Sequence, residues 1–252
     1  MDANQKSCLC LFDIDGTLTR PRQVIDNEMM LFLKEKLMKK CIIGLVGGSD
    51  LVKIREQMGG DSFNLSDFDY IFAENGLVAF KNGVEIAKES IACFLGEEKL
   101  QKLINYALRY MSELILPLKR GHFIEFRTGL INLCPIGRSC TQKERNLFAE
   151  YDAKHKIREK FIQCLERDLS DLGLKYSIGG QISIDVFPVG WDKTYCLQFL
   201  EKDFHNRIHF FGDKTNIGEN DYEIFTDSRV FGHTVISPED TKCQLASIFL
   251  LE

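Results

Sequence analysis

Residues 11–19 read LFDIDGTLT, and the apolar run CLCLF at 8–12 leads into them. A short stretch with no polar alternation is the pattern of a strand buried on both faces, as strands of a parallel sheet are. Two carboxylates, Asp13 and Asp15, follow at once. While the chain is still extended, side chains two apart share a face, so both acids look toward one spot. Crowded carboxylates repel each other and take up protons unless a cation sits among them. The stretch therefore predicts a buried strand with an anionic site at its carboxyl end.

Outward from that stretch the pattern repeats. Met29, Met30, Leu33 and Leu37 fall at helical spacing before Lys39 and Lys40. Residues 41–46, CIIGLV, are a second two-sided apolar run; GGSD follows, with Asp50 placed to cap a helix over 51–58. Residues 70–72, YIF, form a third strand, which leads to Glu74-Asn75-Gly76 and a hairpin turning at Asn82-Gly83. Buried strands alternating with helices predict a doubly wound, mostly parallel sheet.

The middle of the chain reads differently. A helical pattern covers 97–115, residues 122–127 alternate, Thr128-Gly129 turns into 130–134, and a further helical pattern covers about 141–172. Residues 181–186, QISIDV, alternate cleanly. Period-two strands predict an antiparallel sheet with one polar face and helices on the other. After Pro188 the first style returns, with a helix expected over about 192–202, a strand at 208–211 and Gly212-Asp213 at its end. The expected architecture is α/β: a doubly wound core of residues 1–85 and 189–252, with an inserted α+β cap domain at 86–188.

Composition narrows the function. The 252 residues carry a formal net charge of -5, which gives no basic footprint for nucleic acid or an anionic membrane. Any anion site must be built locally. MDANQKSC at the start has neither the basic nor the apolar region of a signal peptide, and no apolar run nears the roughly 18 residues of a membrane span, so a cytoplasmic location is expected. The nine cysteines contain no CxxC pair and read as reduced, mostly buried hydrophobes. The five histidines show no ligand spacing.

Three apolar strands end in polar groups: Asp13 and Asp15, then Ser49, then Asp213. Open α/β sheets bind ligands outside the carboxyl ends of their strands, so these groups are expected around one crevice. Oxygen ligands of this kind suit magnesium, which accepts a substrate phosphate as a further ligand. A carboxylate can also act as a nucleophile toward phosphorus. Gly16 permits close backbone approach, the Thr17 and Ser49 hydroxyls can donate to phosphate, and Lys193 can neutralise a transferred phosphoryl group. In the insert, Arg127, Arg138 and Arg145 can supply a second anion site by bidentate contacts, and Ser183 and Asp185 share a strand face suited to sugar hydroxyls.

DIDGT, Ser49, Lys193 and GDKTNIGEND at 212–221 resemble, in order, the four motifs of the haloacid dehalogenase superfamily of phosphotransferases. DIDGTLTRPR at 13–22, VGGSD at 46–50, ENGLVA at 74–79, FIEFR at 123–127, PIGRSC at 135–140, GGQISIDVFP at 179–188, GWDK at 190–193 and EIFTD at 223–227 further resemble the eukaryotic phosphomannomutase family. That resemblance implies Asp13 as the phosphorylated nucleophile and Asp15 as general acid and base, with Ser49 and Lys193 completing the catalytic set. It implies magnesium on the Asp13 carboxylate, the Asp15 backbone carbonyl and Asp213, with Asn220 and Asp221 nearby. Sugar and distal-phosphate contacts would fall on Arg22, Arg127, Arg138, Arg145, Ser183 and Asp185. A second, structural cation site matches Phe225 and Asp227, with Val230 at a position where a threonine can occur.

The activity so implied interconverts mannose 6-phosphate and mannose 1-phosphate through a phosphoaspartyl enzyme and a hexose 1,6-bisphosphate, which also serves as activator. It supplies mannose 1-phosphate for GDP-mannose synthesis, in a homodimer joined through the caps. Two alternatives stand beside it: a magnesium-dependent sugar phosphatase of the same superfamily, and a non-catalytic sugar-phosphate-binding protein.

Overall fold

The structure is a computed structural model that describes residues 8–21 and 23–249. It divides into two compact units, residues 1–88 with 190–252, and residues 89–189.

The first unit is laid down from β1 (Leu9–Phe12), whose four residues are fully buried. Alternate residues serve two layers. Cys10 and Phe12 pack in one cluster with Met29, Phe32 and Leu33 of α1 (Asn27–Glu35), while Leu9 and Leu11 pack in another on the opposite face. Burial of each such side chain stabilises the fold by about 1.5–3 kcal/mol, which is why the run carries no polar residue. β2 (Ile42–Val46) pairs parallel to β1, with Phe12 beside Leu45. Asp50 caps α2 (Leu51–Gln57) as its position suggests, its carboxylate accepting from the Lys53 amide at 2.9 Å. β3 (Tyr70–Ala73) continues the parallel sheet, and the hairpin of β4 (Val78–Lys81) and β5 (Val84–Lys88) adds two antiparallel strands. Its turn holds Asn82 at φ +50° and Gly83 at φ +79°, the paired left-handed geometry that favours Asn-Gly.

The second unit opens with α3 (Ile91–Glu113), which starts earlier than the helical spacing suggests because Ser90 caps it, accepting from the Cys93 amide at 3.2 Å. Gly96, at φ +72°, interrupts it after the first turn. β6 (Ile124–Phe126) and β7 (Ile131–Leu133) form a hairpin. The helical pattern over about 141–172 resolves into α4 (Gln142–His155) and α5 (Ile157–Asp168), split at Lys156, whose φ of +56° no helix interior tolerates. A capping box between Thr141 and Glu144 starts α4. β8 (Leu174–Gly179) and β9 (Ser183–Pro188) complete an antiparallel sheet in the order β6-β7-β9-β8. Ile131, Leu133, Ile184 and Val186 are fully buried, and Tyr110 of α3 stacks on Phe161 of α5 at 4.2 Å. Register aligns Glu125, Asn132, Asp185 and Ser177 in one polar row across the four strands. This is the two-faced sheet that the alternation predicts.

The chain then returns to the first unit. Where an α-helix is expected over about 192–202, the structure has a 3-10 helix at Lys193–Phe199 and only a short α6 (Glu201–Phe204). Thr194, Tyr195, Cys196 and Phe199 are all weak α-formers, and the Asp192 carboxylate accepts from both the Thr194 amide and hydroxyl, which fixes the tighter start. β10 (Ile208–Gly212) pairs parallel with β1, followed by α7 (Tyr222–Phe225), β11 (Val230–Thr234) and α8 (Pro238–Phe249). The seven-stranded order is β11-β10-β1-β2-β3-β4-β5, with β1 in the middle of the five parallel strands and its carboxyl end flanked by those of β2 and β10. None of the nine cysteines is in a disulfide, and Cys10, Cys41, Cys134, Cys140 and Cys196 are buried. No helix among the described residues is long and apolar enough to cross a membrane.

Candidate active site

In the first unit, Asp13 continues β1 by one residue, its amide donating to the Phe211 carbonyl at 2.9 Å. The chain then doubles back: the amides of Leu18 and Thr19 donate to the Ile14 carbonyl at 3.0 Å each, and Gly16 donates to the Thr19 carbonyl at 2.8 Å. Gly16 sits at φ +87°, and a Cβ there would lie 2.4 Å from Asp213 Oδ2. Only a residue without a side chain lets the loop after β1 press on the acid after β10. Asp221 is fully buried, its Oδ2 accepting from the Lys214 amide at 3.1 Å. Lys193 Nζ, 1% exposed, donates to both Asp13 Oδ1 and Asp221 Oδ1.

Asp13, Asp213 and Asp221 each offer a carboxylate oxygen within 4.8 Å of the others. Three carboxylates thus face one buried ammonium, with the Lys214 ammonium also acting on Asp213, so positive charge still falls short. The electrostatics register it. Burial, with Asp221 and Asp213 adding to it and Lys193 opposing, pushes the Asp13 carboxyl up to about 6. Burial likewise raises Asp213. For Lys193 burial works against the charge, but Asp13 and Asp221 outweigh it and hold the ammonium above the ordinary lysine range. Asp13 titrates near 3.9 when unfolded, so its contribution destabilises the folded metal-free unit above pH 6 and is relieved as pH falls from about 6 to 4.

Asp213 Oδ1 and Thr17 Oγ1 are buried with no hydrogen-bond partner among the described residues. An orphaned acceptor, a shortage of positive charge and a donor set made only of oxygens all fit a divalent hard cation such as magnesium. A cleft of about 130 Å³ at the same place is lined by Asp13, Asp15, Ser49, Gln57, Lys214 and Asn220. Asp15 Oδ1 accepts from Gln57 Nε2 at 2.8 Å.

In the second unit a separate polar network crosses the sheet. Glu125 accepts from Arg127 at 3.1 and 3.3 Å and also pairs with Arg138. Arg138 Nη1 donates to Asn132 Oδ1 at 2.8 Å and to Ser183 Oγ at 3.4 Å, and Asn132 Nδ2 donates to Asp185 Oδ1 at 2.6 Å. Arg145 Nη2 donates to the Arg138 carbonyl at 3.2 Å. Gly179 makes room for Asp185, since a Cβ there would lie 2.4 Å from Asp185 Oδ2.

The structure thus gathers Asp13, Asp15, Ser49, Lys193, Asp213, Asn220 and Asp221 in one unit, and Arg127, Arg138, Arg145, Ser183 and Asp185 in the other. Arg22 lies outside the described residues. The Phe225, Asp227 and Val230 set is another matter. Arg229 donates to Asp227 Oδ1 at 2.8 Å and to Oδ2 at 2.7 Å, and valine has no side-chain oxygen, so the carboxylate of this set is already paired and Phe225 and Val230 can offer only backbone carbonyls. Sequence reasoning missed Gln57, Lys214, Glu125 and Asn132. Glu125 had a signal, standing two residues before Arg127 in the alternating run 122–127, and Asn132 is the one polar residue in the apolar run Ile131–Leu133.

The model of the family described as eukaryotic phosphomannomutase matches residues 29–251. A phosphomannomutase of Drosophila melanogaster is 54% identical over 244 residues, covering 96% of each chain. That of Saccharomyces cerevisiae is 55% identical over 243 residues, covering 96% of this chain and 94% of its own. This chain belongs to the eukaryotic phosphomannomutase family. A solved structure of an IMP-bound, N-terminally truncated Plasmodium falciparum IMP-nucleotidase superposes with a TM-score of 0.58 at 17% identity, covering 97% of this chain and 68% of its own; that likeness concerns the fold.

The packing of Gly16 against Asp213 gives this phosphomannomutase-family chain a sharp test. Gly16→Ala forces a methyl group onto the Asp213 carboxylate at an unfavourable φ. Magnesium-dependent stabilisation, read as the rise in melting temperature on adding the ion, is expected to fall by at least half. An unchanged rise would remove Asp213 from the cation set.

Proposed function

We propose that this enzyme interconverts mannose 6-phosphate and mannose 1-phosphate. The observation that carries the chemistry is the buried Asp13 carboxylate, held by Lys193 beside Asp213 and Asp221 at the end of β1. A carboxylate fixed on an ammonium, in a site short of positive charge, is arranged to receive a phosphoryl group and its charge.

In the phosphorylated enzyme, primed by a hexose 1,6-bisphosphate, the phosphoryl group on Asp13 passes to the free 6-hydroxyl of mannose 1-phosphate. The bond from phosphorus to the Asp13 oxygen breaks, a bond to the sugar oxygen forms, and the hydroxyl proton goes to Asp15. The bisphosphate turns round, Asp13 attacks the phosphorus at position 1, and Asp15 returns the proton to the departing sugar oxygen, leaving mannose 6-phosphate. Lys193 keeps the carboxylate oriented and offsets the charge that arrives on it. Asp13, Asp213 and the Asp15 carbonyl, with Asn220 and Asp221 beside them, hold magnesium, which when bound neutralises the transferred phosphoryl oxygens. The Ser49 hydroxyl donates to that group.

A mutase must also recognise the phosphate that is not reacting. Arg127, Arg138 and Arg145 supply that recognition, joined by Arg22, while Ser183 and Asp185 bind sugar hydroxyls. Pairing through the inserted units in a homodimer, a cytoplasmic location and supply of mannose 1-phosphate for GDP-mannose belong to the same reading. A phosphatase would need no second anion site, and a pure binder gains nothing from an ammonium locked onto a buried acid.

A coupled assay with mannose 1-phosphate and a trace of glucose 1,6-bisphosphate tests the reading. Turnover to mannose 6-phosphate is expected to vanish on chelation and to return with magnesium. Turnover that persists after complete chelation counts against the metal-held phosphoryl group.

A further inference from the structure

Asn132 lies at the centre of the polar row of the inserted unit, between Glu125 and Asp185 in register, and is 3% exposed. Its neighbours Ile131 and Leu133 are fully buried on the other face. The amide has a carboxylate on one side and a guanidinium on the other. Its Nδ2 donates to Asp185 Oδ1 at 2.6 Å and its Oδ1 accepts from Arg138 Nη1 at 2.8 Å. That orientation of the amide is the only one in which both contacts are hydrogen bonds, because a carboxylate can only accept and a guanidinium can only donate.

We propose that Asn132 is a positioning residue for substrate recognition, holding the sugar-binding Asp185 and the phosphate-binding Arg138 in one geometry. The inference rests on the reading that those two groups touch the substrate. Asparagine suits the place physically. Aspartate would set a second negative charge 2.6 Å from Asp185, and an apolar residue of the same size would leave a carboxylate and a guanidinium each short of a partner. Fixing both ends through one side chain means that neither group must be ordered when the sugar phosphate arrives. Preorganisation of this kind appears in binding rather than in the chemical step.

The test is a double-mutant cycle on the full-length enzyme with mannose 1-phosphate. Asn132→Leu is expected to raise KM about tenfold, the worth of one charge-assisted hydrogen bond, with kcat within about threefold. Phosphorylation of Asp13 by acetyl phosphate is expected to stay unchanged. Arg138→Met should raise KM on its own. The double variant should raise KM by less than the product of the two single effects, because leucine at 132 has already removed one of the contacts that orient Arg138, leaving it only Glu125 and Ser183. If Asn132→Leu does not fold, Asn132→Asp keeps the volume and is expected to raise KM with the same unchanged Asp13 phosphorylation. A raised KM for Arg138→Met combined with multiplicative losses in the double variant overturns this inference alone. An unchanged KM for Arg138→Met overturns the reading of the cap and the inference with it.

Discussion

Asp13→Asn is expected to lower mutase turnover by roughly 10⁴-fold or more while the protein melts no lower than the wild type without metal. The two halves of that expectation come from different physics. An amide oxygen on a neutral group cannot accept a phosphoryl group and return it, so the covalent route closes. The fold, by contrast, loses a liability. Asp13 is a buried carboxylate whose proton affinity burial has raised to about 6, and two further acids lie within 4.8 Å. Removing its charge relieves that repulsion, and Lys193 keeps Asp221 as its partner. Turnover by coupled assay and melting by calorimetry check the two halves separately. A variant that stays active removes Asp13 from the mechanism, and one that melts far lower shows that its charge was stabilising.

Lys193→Met is expected to have the opposite signature. Lys193 is 1% exposed and is the ammonium shared by Asp13 and Asp221. Without it the buried pair Asp13 and Asp221 loses its shared ammonium, and loss of one partner from a buried pair costs about 3–5 kcal/mol. Activity should fall as well, by roughly 10²–10³-fold, since a fixed positive charge near the transferred group is lost. The stability deficit carries its own pH signature. Protonation removes the repulsion, and with the ammonium gone the acids bind protons more readily still, so the gap to the wild type should narrow as pH is lowered from 7.5 to 5.5. Magnesium should narrow it too. A deficit that is flat with pH and indifferent to magnesium would mean that Lys193 acts through packing alone.

Particular residues show what a sequence reveals and what it hides. The run Leu9–Phe12 is buried on both faces, and apolar character without alternation says so directly. Asp50 at the cap of α2 and Asn82-Gly83 at the hairpin are local rules obeyed locally. The 3-10 helix at Lys193–Phe199 escaped because the apolar spacing of 192–202 suits an α-helix, while the side chains that favour tighter winding leave no periodic mark. Asp13, Lys193 and Asp213 are legible because each stands at the end of an apolar strand or in a motif. Gln57 is not. It is the last residue of α2 and reaches Asp15 only because the fold brings two elements together. Asn132 is a middle case, since its polarity within an apolar strand was visible but its two partners lie on other segments.

Phosphorus NMR of the enzyme with mannose 1-phosphate, magnesium and a trace of glucose 1,6-bisphosphate tests the central claim most directly. The account predicts that the mannose 6-phosphate resonance grows at the expense of mannose 1-phosphate until the two reach equilibrium, with no inorganic phosphate signal. Inorganic phosphate accumulating with no mannose 6-phosphate would contradict it, because water and not the sugar would then be the acceptor of the phosphoryl group on Asp13.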